Sequence, residues 1–275
     1  MEQATANSIR EKARKIRTGI INALGLDRPG HLGGSMSAAD IISVLYFHKM
    51  KINPQNPKDP KRDRFIMSKG HSVLAQYAAL AEAGFFSRDE LPKTKTLGAL
   101  LQGHPEIDIP GIEANTGSLG QGLSQGVGMA LAGMLDKADW KVYVLTGDAE
   151  LAEGQIWEAA TAAGHYRLGN LRALVDANGI SAMGRVCDRY NVGDPETIAA
   201  KFAAFGWNAM IVDGHDVEAV AAALDAVDAV KDKPSAIVCR TVKGKGVSFA
   251  ENTNAYHNRA MDEETRAKAL AEING

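Results

Sequence analysis

A strand, a helix and a second strand follow one another in the middle of this sequence, and this order restricts the possible fold more than any other feature. Residues 140–146 are rich in β-forming side chains and end just before Asp148. Residues 155–166 have a helical pattern, and residues 171–175 form a second apolar segment that ends shortly before Asn178. Consecutive parallel strands need a long crossover connection, which is almost always right-handed. The order therefore predicts a βαβ unit in a parallel sheet.

Helical and β patterns continue on both sides of this unit. Helices are predicted where apolar residues recur at helical spacing or where alanine is abundant. The further predicted helices are residues 5–24, 38–47, 72–83, 127–135, 217–230 and 262–273, and the further strands are residues 207–212 and 235–240. We predict an α/β fold with three layers, α/β/α, around a mostly parallel sheet, and we expect residues 1–275 to form one domain.

The composition excludes several classes of protein. Hydrophobic residues make up 45% of the 275 residues and charged residues 23%, as is ordinary for globular proteins. A formal net charge of -2 gives no reason to expect nucleic acid or a membrane surface as a partner. No apolar run approaches the roughly 18 residues of a membrane span. The polar amino terminus does not resemble a secretory signal, and Cys187 and Cys239 lie in no metal-ligand spacing, so we expect a reduced, cytoplasmic protein.

Two polar side chains stand at the ends of the strands of the βαβ unit. Asp148 follows the first strand and Asn178 follows the second. Ligands of open parallel sheets bind beyond the carboxyl ends of the strands. Carboxylate and amide oxygens suit Mg²⁺ or Ca²⁺, and Mg²⁺ often completes its coordination with phosphate oxygens and water. Asp and Asn are also ordinary turn residues, which is the competing interpretation. Their joint occurrence in one βαβ unit predicts a metal site.

Six short segments resemble, in the same order, the signatures of the transketolase family. Gly147-Asp148-Ala149, separated by 28 residues from Asn178, resembles the thiamine diphosphate motif. The segment that begins at Gly30 reads Gly-His-Leu-Gly-Gly, where the family has Gly-His-Pro-Gly-Gly. The six segments are residues 30–35, 68–71, 102–106, 116–122, 145–158 and 243–249. Because they keep the family order over most of the chain, the resemblance implies a thiamine-diphosphate-binding fold.

The resemblance also implies where thiamine diphosphate and Mg²⁺ (or Ca²⁺) bind. It assigns the metal to the side chains of Asp148 and Asn178 and to the backbone carbonyl of Ile180. It assigns the cofactor to His71, to the backbone amide of Ala149 and to the residues around them. The full set of implied cofactor contacts is His71, Gly117, Ser118, Leu119, Gly147, Asp148, Ala149, Glu153, Asn178 and Ile180.

Three histidines are implied to be catalytic, namely His31, His71 and His104. In the family, two of these positions, matched here by His31 and His104, face the substrate and donate hydrogen bonds or protons to its oxygens. Glu153 matches a glutamate at the subunit interface. His257 is a further substrate contact of lower rank, because larger relatives carry two histidines there and Asn254 stands in the place of the other.

The chain departs from the family pattern at Leu32, which replaces proline, and at Ala149, which replaces glycine. A methyl group at Ala149 requires a negative φ, because that backbone amide approaches the diphosphate. Lys243 and Lys245 are interpreted either as phosphate ligands or as a solvated basic turn. These positions are therefore the ones at which the structure can disagree with the resemblance.

Family members need a second, pyrimidine-binding domain, and full-length chains are over twice this size. We therefore expect the partner to be a second transketolase subunit, with homodimer contacts in an α2β2 heterotetramer and ketol transfer between sugar phosphates. One alternative is the diphosphate-binding half of another thiamine diphosphate enzyme, such as a 2-oxo acid dehydrogenase. Another is a non-catalytic scaffold. A dinucleotide-binding enzyme is remote, because the glycines of residues 120–128 lack the Gly-x-Gly-x-x-Gly spacing.

Overall fold

The computed structural model describes residues 1–275 and has a sheet of five parallel strands at its centre. Along the chain the strands are β1 (Arg64–Met67), β2 (Val142–Gly147), β3 (Leu171–Ala177), β4 (Ile180–Ser181), β5 (Gly184–Arg185), β6 (Asn208–Asp213) and β7 (Ser235–Arg240). The sheet has the spatial order β1-β2-β3-β7-β6, and β4 and β5 pair separately as a small antiparallel hairpin. The predicted α/β fold with a parallel sheet is confirmed.

Nine α-helices connect and cover the strands. They are α1 (Gln3–Ala23), α2 (Leu32–Val44), α3 (Val73–Ala83), α4 (Gln121–Leu135), α5 (Gly154–His165), α6 (Val186–Arg189), α7 (Pro195–Ala204), α8 (Val217–Asp228) and α9 (Glu263–Asn274). Aspartates cap three of them by accepting backbone hydrogen bonds: Asp194 at α7, Asp216 at α8 and Asp262 at α9. α3 ends at Gly84, whose φ of 92° is one that glycine adopts without strain.

The sheet separates two hydrophobic cores, because successive side chains of a strand point to opposite faces. On β2, Tyr143 and Leu145 belong to one core, whereas Val144 belongs to the other. The first core is closed by α1, α2, α3, α8 and α9, and the second by α4, α5 and α7. Helices thus lie on both faces, which gives three layers and leaves the carboxyl ends of the strands accessible at one edge.

Two elements were absent from the sequence-based prediction. β1 has only four residues and follows a charged, proline-containing segment, so it shows no alternating pattern of its own. α7 begins at Pro195 after the capping Asp194, a helix-start signal that was present but not used. α2 and α4 begin about six residues earlier than predicted, because their glycine-rich first turns, which contain the motifs, are helical. No helix of the structure is both long enough and apolar enough to cross a membrane.

Candidate active site

The carboxyl ends of β2 and β3 lie side by side and carry the predicted polar groups. The register of the two strands pairs Gly147 with Asp176, so that Asp148 and Asn178 follow directly at the same edge of the sheet. β1 ends beside β2, and β7 ends on the other side of β3. Segments that follow all four strands therefore surround one crevice, as expected for an open parallel sheet.

Asp148 is a buried carboxylate with no cationic partner. One oxygen accepts a hydrogen bond from the amide of Ala149 at 2.7 Å, and the other accepts one from the amide of Gly179 at 2.5 Å. Burial raises the pKa of Asp148 to about 6, although these two bonds oppose the shift. A buried carboxylate bonded only to backbone amides lacks a compensating charge, and a bound cation supplies one. The residue thus fits the metal-ligand assignment.

The other two implied metal ligands lie in the turn after β3. The side-chain oxygen of Asn178 accepts a hydrogen bond from the amide of Ile180 at 3.1 Å. The carbonyl oxygen of Ile180 accepts a bond from the ammonium group of Lys243 at 2.7 Å. With Asp148 these groups make three hard oxygen donors of the kind that Mg²⁺ and Ca²⁺ prefer.

Lys243 differs from one of its two interpretations. Only 2% of the residue is exposed, so it belongs to the crevice and not to a solvated turn. Its ammonium group also lies 3.0 Å from Nδ1 of His257. Burial lowers the pKa of Lys243 to about 8. Lys245, two residues later, is only half-buried.

The two departures from the family pattern are accommodated without strain. Ala149 is not among the residues with positive φ, so its methyl group is compatible with the backbone of the short 3₁₀ turn Ala149–Ala152. Leu32 occupies the first position of α2, where a proline is also tolerated, and it is buried. Neither substitution removes a group that the site needs.

Four histidines come together above the metal-ligand set. The ring centroid of His31 lies 4.9 Å from that of His71, 5.3 Å from that of His257 and 6.5 Å from that of His104. His71 and His257 are 5.3 Å apart. The structure therefore brings the three implied catalytic histidines into one cluster with His257, and Asn254 instead bonds to the carbonyl of Ala182.

The histidines of this cluster are neutral at pH 7. Burial, followed by the charges of neighbouring groups, lowers the pKa of His31 to about 4, that of His257 to about 3 and that of His71 to about 2. The pKa of the more exposed His104 is lowered by the same kinds of cause. Neutral imidazoles offer one donor and one acceptor each, which suits hydroxyl and carbonyl oxygens of a sugar.

The His257 segment reaches the cluster by pairing with the amino-terminal part of the chain. Gly30 and Arg259 exchange two backbone hydrogen bonds, of 3.3 Å and 3.1 Å, and the amide of Gly33 donates to the carbonyl of Tyr256. This pairing places the ring of His257 beside that of His31.

The remaining implied cofactor contacts lie between β1 and α4. Gly117 has a φ of 148°, and a side chain there would contact the ring of His104 at 2.8 Å, so the backbone passes too close to that ring for any residue but glycine. Leu119 is half-buried, and Ser118 and Glu153 are exposed in the single chain. Gly147 donates its amide to the buried carboxylate of Glu150 at 3.0 Å.

Sequence reasoning missed two buried acidic groups that hold the crevice together. Asp176 is fully buried; it forms an ion pair with Lys69 and accepts hydrogen bonds from Ser37 and Thr241. Glu150 is also buried, and it accepts bonds from the hydroxyl of Ser68 and from two amides. Both follow a strand directly or nearly so, but their partners lie far away in the sequence.

Comparison with known proteins gives one family. The model of the transketolase, thiamine diphosphate binding domain, matches residues 8–273. One of the two chains of apulose-4-phosphate transketolase from Phocaeicola vulgatus is 40% identical over 262 residues, which is 95% of this chain and 92% of that protein. The 6-deoxy-6-sulfo-D-fructose transketolase subunit SqwG of Clostridium sp. is 40% identical over 266 residues, 96% of each chain.

Solved structures agree with this result. The chain superposes on transketolase from Campylobacter jejuni with a TM-score of 0.89 at 32% identity, covering 100% of this chain and 43% of that one. A transketolase mutant from Pichia stipitis gives a TM-score of 0.91 at 32% identity, covering 98% of this chain and 41% of that one. The chain thus spans about two fifths of the solved transketolases that it matches.

Proposed function

Since the chain belongs to the family of transketolase thiamine diphosphate binding domains, we propose that it is the diphosphate-binding subunit of a two-chain transketolase. In this proposal residues 1–275 are one diphosphate-binding domain, and a second polypeptide supplies the pyrimidine-binding domain. The relatives with 40% identity are named as transketolase subunits and have nearly the same length as this chain, which supports the split organisation.

The observation that carries this proposal is the cluster of four neutral histidines above three hard oxygen donors at one edge of the sheet. Asp148, Asn178 and the carbonyl of Ile180 would hold Mg²⁺, which would bridge to the diphosphate. The amide of Ala149, Lys243 and His71 would contact the cofactor. When bound, thiamine diphosphate supplies a carbon nucleophile and an electron sink for the two-carbon unit.

The histidines of this chain would orient the sugar and move protons at its oxygens. The ammonium group of Lys243 can only donate to Nδ1 of His257, so the proton of that ring is on Nε2 and is available to a substrate oxygen. His31 and His104, which are less enclosed than His71, would bond to the hydroxyl and carbonyl oxygens of the ketose. Such groups contribute by being close to neutral at working pH.

We also propose that this chain forms a homodimer and assembles with its partner as a heterotetramer. The supporting feature is the outer face of α4 next to Glu153. α4 has no charged residue from Gln121 to Leu135, and Gly128, Ala132 and Leu135 of this helix are exposed. An uncharged exposed face of this kind indicates a protein contact. Glu153 at the start of α5 and the half-buried Leu119 would then be covered by another subunit.

The test is a two-carbon transfer assay with this chain and its pyrimidine-binding subunit, with Mg²⁺ and thiamine diphosphate present. Because the two relatives at 40% identity are named for different sugars, a panel of ketose phosphates and one sulfonated ketose serve as donors. We expect transfer only when both subunits are present. His31→Ala and His104→Ala should each slow turnover by ~10²-fold or more, whereas the exposed His165→Ala should not.

Each alternative has its own outcome. Cofactor binding without ketol transfer from any donor would favour a non-catalytic scaffold. Decarboxylation of a 2-oxo acid in place of ketol transfer would favour another thiamine diphosphate enzyme. Either result would contradict the proposed reaction.

A further inference from the structure

The loop after β7, residues 241–246, carries Lys243 into the crevice, and a group of side chains outside the crevice holds this loop. The amide of Val242, just before the lysine, donates to Nε2 of His215 at 2.8 Å. The carbonyl of Lys245, two residues after it, accepts from Nε of Arg17 at 3.0 Å. The backbone is therefore bound on both sides of Lys243.

Both bonds lead to a single carboxylate, Asp40 of α2. Nδ1 of His215 lies 2.7 Å from one oxygen of Asp40. The guanidinium group of Arg17 makes a two-pronged contact with the same carboxylate, at 3.0 Å and 2.5 Å. Only 7% of Asp40 is exposed. The peptide groups that flank Lys243 thus depend on one buried acid contributed by a different part of the chain.

The hydrogen bonds determine the tautomer of His215. The amide of Val242 can only donate, so Nε2 of His215 must be unprotonated. The ring proton is then on Nδ1 and is donated to Asp40. Burial alone would raise the pKa of Asp40, but the bond from His215 and the charge of Arg17 keep that pKa below its usual value. An ionised Asp40 therefore keeps the acceptor nitrogen of His215 directed at Val242.

The lysine has little freedom to compensate if this support is lost. The amide of Gly244 donates to the carbonyl of Gly33 at 3.0 Å, and the carbonyl of Lys243 accepts from Asn252. A side chain at Gly33 would contact the Lys243 side chain at 2.9 Å, so the two segments are closely packed. A shift of the loop at Val242 must therefore move the ammonium group within the crevice.

We propose that Asp40 and His215 are positioning residues that set the place of Lys243 in the diphosphate site, an inference that rests on the proposed function. Neither side chain is among those that line the crevice around Asp148. They act on a bound diphosphate only through Lys243. Their contribution to diphosphate binding must therefore disappear when Lys243 is absent, which distinguishes positioning from general support of the fold.

The experiment measures binding of magnesium pyrophosphate to the 275-residue chain by calorimetry, because this probe needs only the diphosphate end of the site. His215→Ala should weaken binding roughly tenfold, the value expected for loss of one well-oriented bond to a buried group. His215→Gln, which can supply both a donor and an acceptor, should recover most of this loss. In the Lys243→Met background, His215→Ala should change the affinity by less than about twofold.

The controls separate this inference from the proposed function. Arg240→Ala removes an exposed ion pair with Glu196 near His215 and should leave pyrophosphate affinity unchanged. If Lys243→Met binds as tightly as the wild type, the proposed role of Lys243 is wrong. If Lys243→Met weakens binding but His215→Ala does not, or if their effects simply add, the positioning role is wrong.

Two further measurements remain decisive if His215→Ala does not fold. Asp40→Asn keeps the side-chain volume and should weaken pyrophosphate binding only when Lys243 is present. Nitrogen-15 chemical shifts of His215 in the wild type should show the proton on Nδ1. A ring protonated on Nε2 alone would contradict the arrangement, because it could not accept from Val242.

Discussion

The ammonium group of Lys243 lies 2.7 Å from the carbonyl oxygen of Ile180, the same oxygen that is assigned to the metal. A lysine and a divalent cation cannot both occupy the lone pairs of this oxygen at full strength without strong charge repulsion. Binding of Mg²⁺ therefore requires Lys243 to move from Ile180 towards the diphosphate, where its charge is also useful.

The first prediction is that Lys243→Met binds a metal ion more tightly than the wild type when no diphosphate is present. The increase should be about tenfold or more, because a hydrogen bond to a charged group is worth about 1.5–3 kcal/mol. Titration with Mn²⁺, followed by electron paramagnetic resonance, measures this directly. Lys245→Met is the matched control, since that side chain is half-buried and does not contact Ile180. Equal or weaker Mn²⁺ binding by Lys243→Met would show that the lysine does not compete.

The second prediction is that metal affinity depends on the ionisation of Asp148. Burial raises the pKa of Asp148 to about 6, and a metal ligand must be deprotonated. Mn²⁺ affinity should therefore fall about tenfold per pH unit below pH 6 and level off above pH 7. Asp148→Asn should abolish binding at every pH. Asp213→Asn, an exposed aspartate at the end of β6, should reproduce the wild-type profile. A flat profile from pH 5 to pH 7.5 would exclude Asp148 as a ligand.

The third prediction concerns acid stability and His71. The pKa of His71 in the folded chain is about 2, far below its value in the unfolded chain, because the ring is buried and has His31 and Lys69 as neighbours. Between these values the unfolded chain binds more protons, so the stabilising contribution is complete above about pH 6.5 and is lost as the pH falls. At pH 5 the loss should be about 2 kcal/mol.

The measurement for His71 is the free energy of unfolding in urea at pH 7.5 and pH 5. The difference between wild type and His71→Gln should shrink by that amount as the pH is lowered. The exposed His48→Gln should run parallel to the wild type. If the wild type and His71→Gln show the same pH dependence, His71 is not held neutral by its surroundings.

The fourth prediction concerns the buried ion pair of Lys69 and Asp176. Removing one partner leaves an uncompensated buried charge, which typically costs 3–5 kcal/mol. Lys69→Met should therefore lower the free energy of unfolding by about 3–5 kcal/mol, with the hydrogen bonds from Ser37 and Thr241 keeping the loss at the lower end. Lys51→Met, which breaks the exposed pair with Asp139, should cause no measurable change. A loss as small as that of Lys51→Met would mean that solvent reaches Asp176.

The fifth prediction addresses assembly through the face of α4. A side chain at Gly128 meets no atom within 4 Å in the single chain, so Gly128→Glu should fold normally while placing a charge on the proposed contact. Light scattering should give a dimeric mass for the wild type and a monomeric mass for Gly128→Glu. Ala226→Glu, on the exposed side of α8, should remain dimeric. A wild-type monomer both alone and with the partner subunit would contradict the assembly proposal, as would a structure of the assembly with Glu153 in open solvent.

The sequence predicted the parts of the site that are written in local pattern. Asp148 and Asn178 follow apolar strands directly, so their place could be derived from strand order alone. His31, His71 and His104 were found because each stands in a short segment with a family signature. β1 was missed because four residues are too few to show a β pattern when the segment before them is charged.

Burial and long-range pairing could not be derived in the same way. Lys243 is surrounded by glycine and lysine in the sequence, and only the packing of its loop against Gly33 shows that it is enclosed. Asp176 reads as a turn residue, since its partner Lys69 comes from the segment after a different strand. Such contacts depend on which elements are neighbours in the sheet, and local sequence does not record that.

The two hydrogen bonds between Gly30 and Arg259 have a consequence for the order in which the protein forms. They join segments from opposite ends of the chain, and closing so long a loop is among the slowest contributions to folding. During synthesis the chain emerges amino terminus first, so the sheet can form before His257 has a place beside His31. The crevice should then be the last region to become native, and a ribosome stalled before residue 250 should present a folded sheet without an anion-binding site.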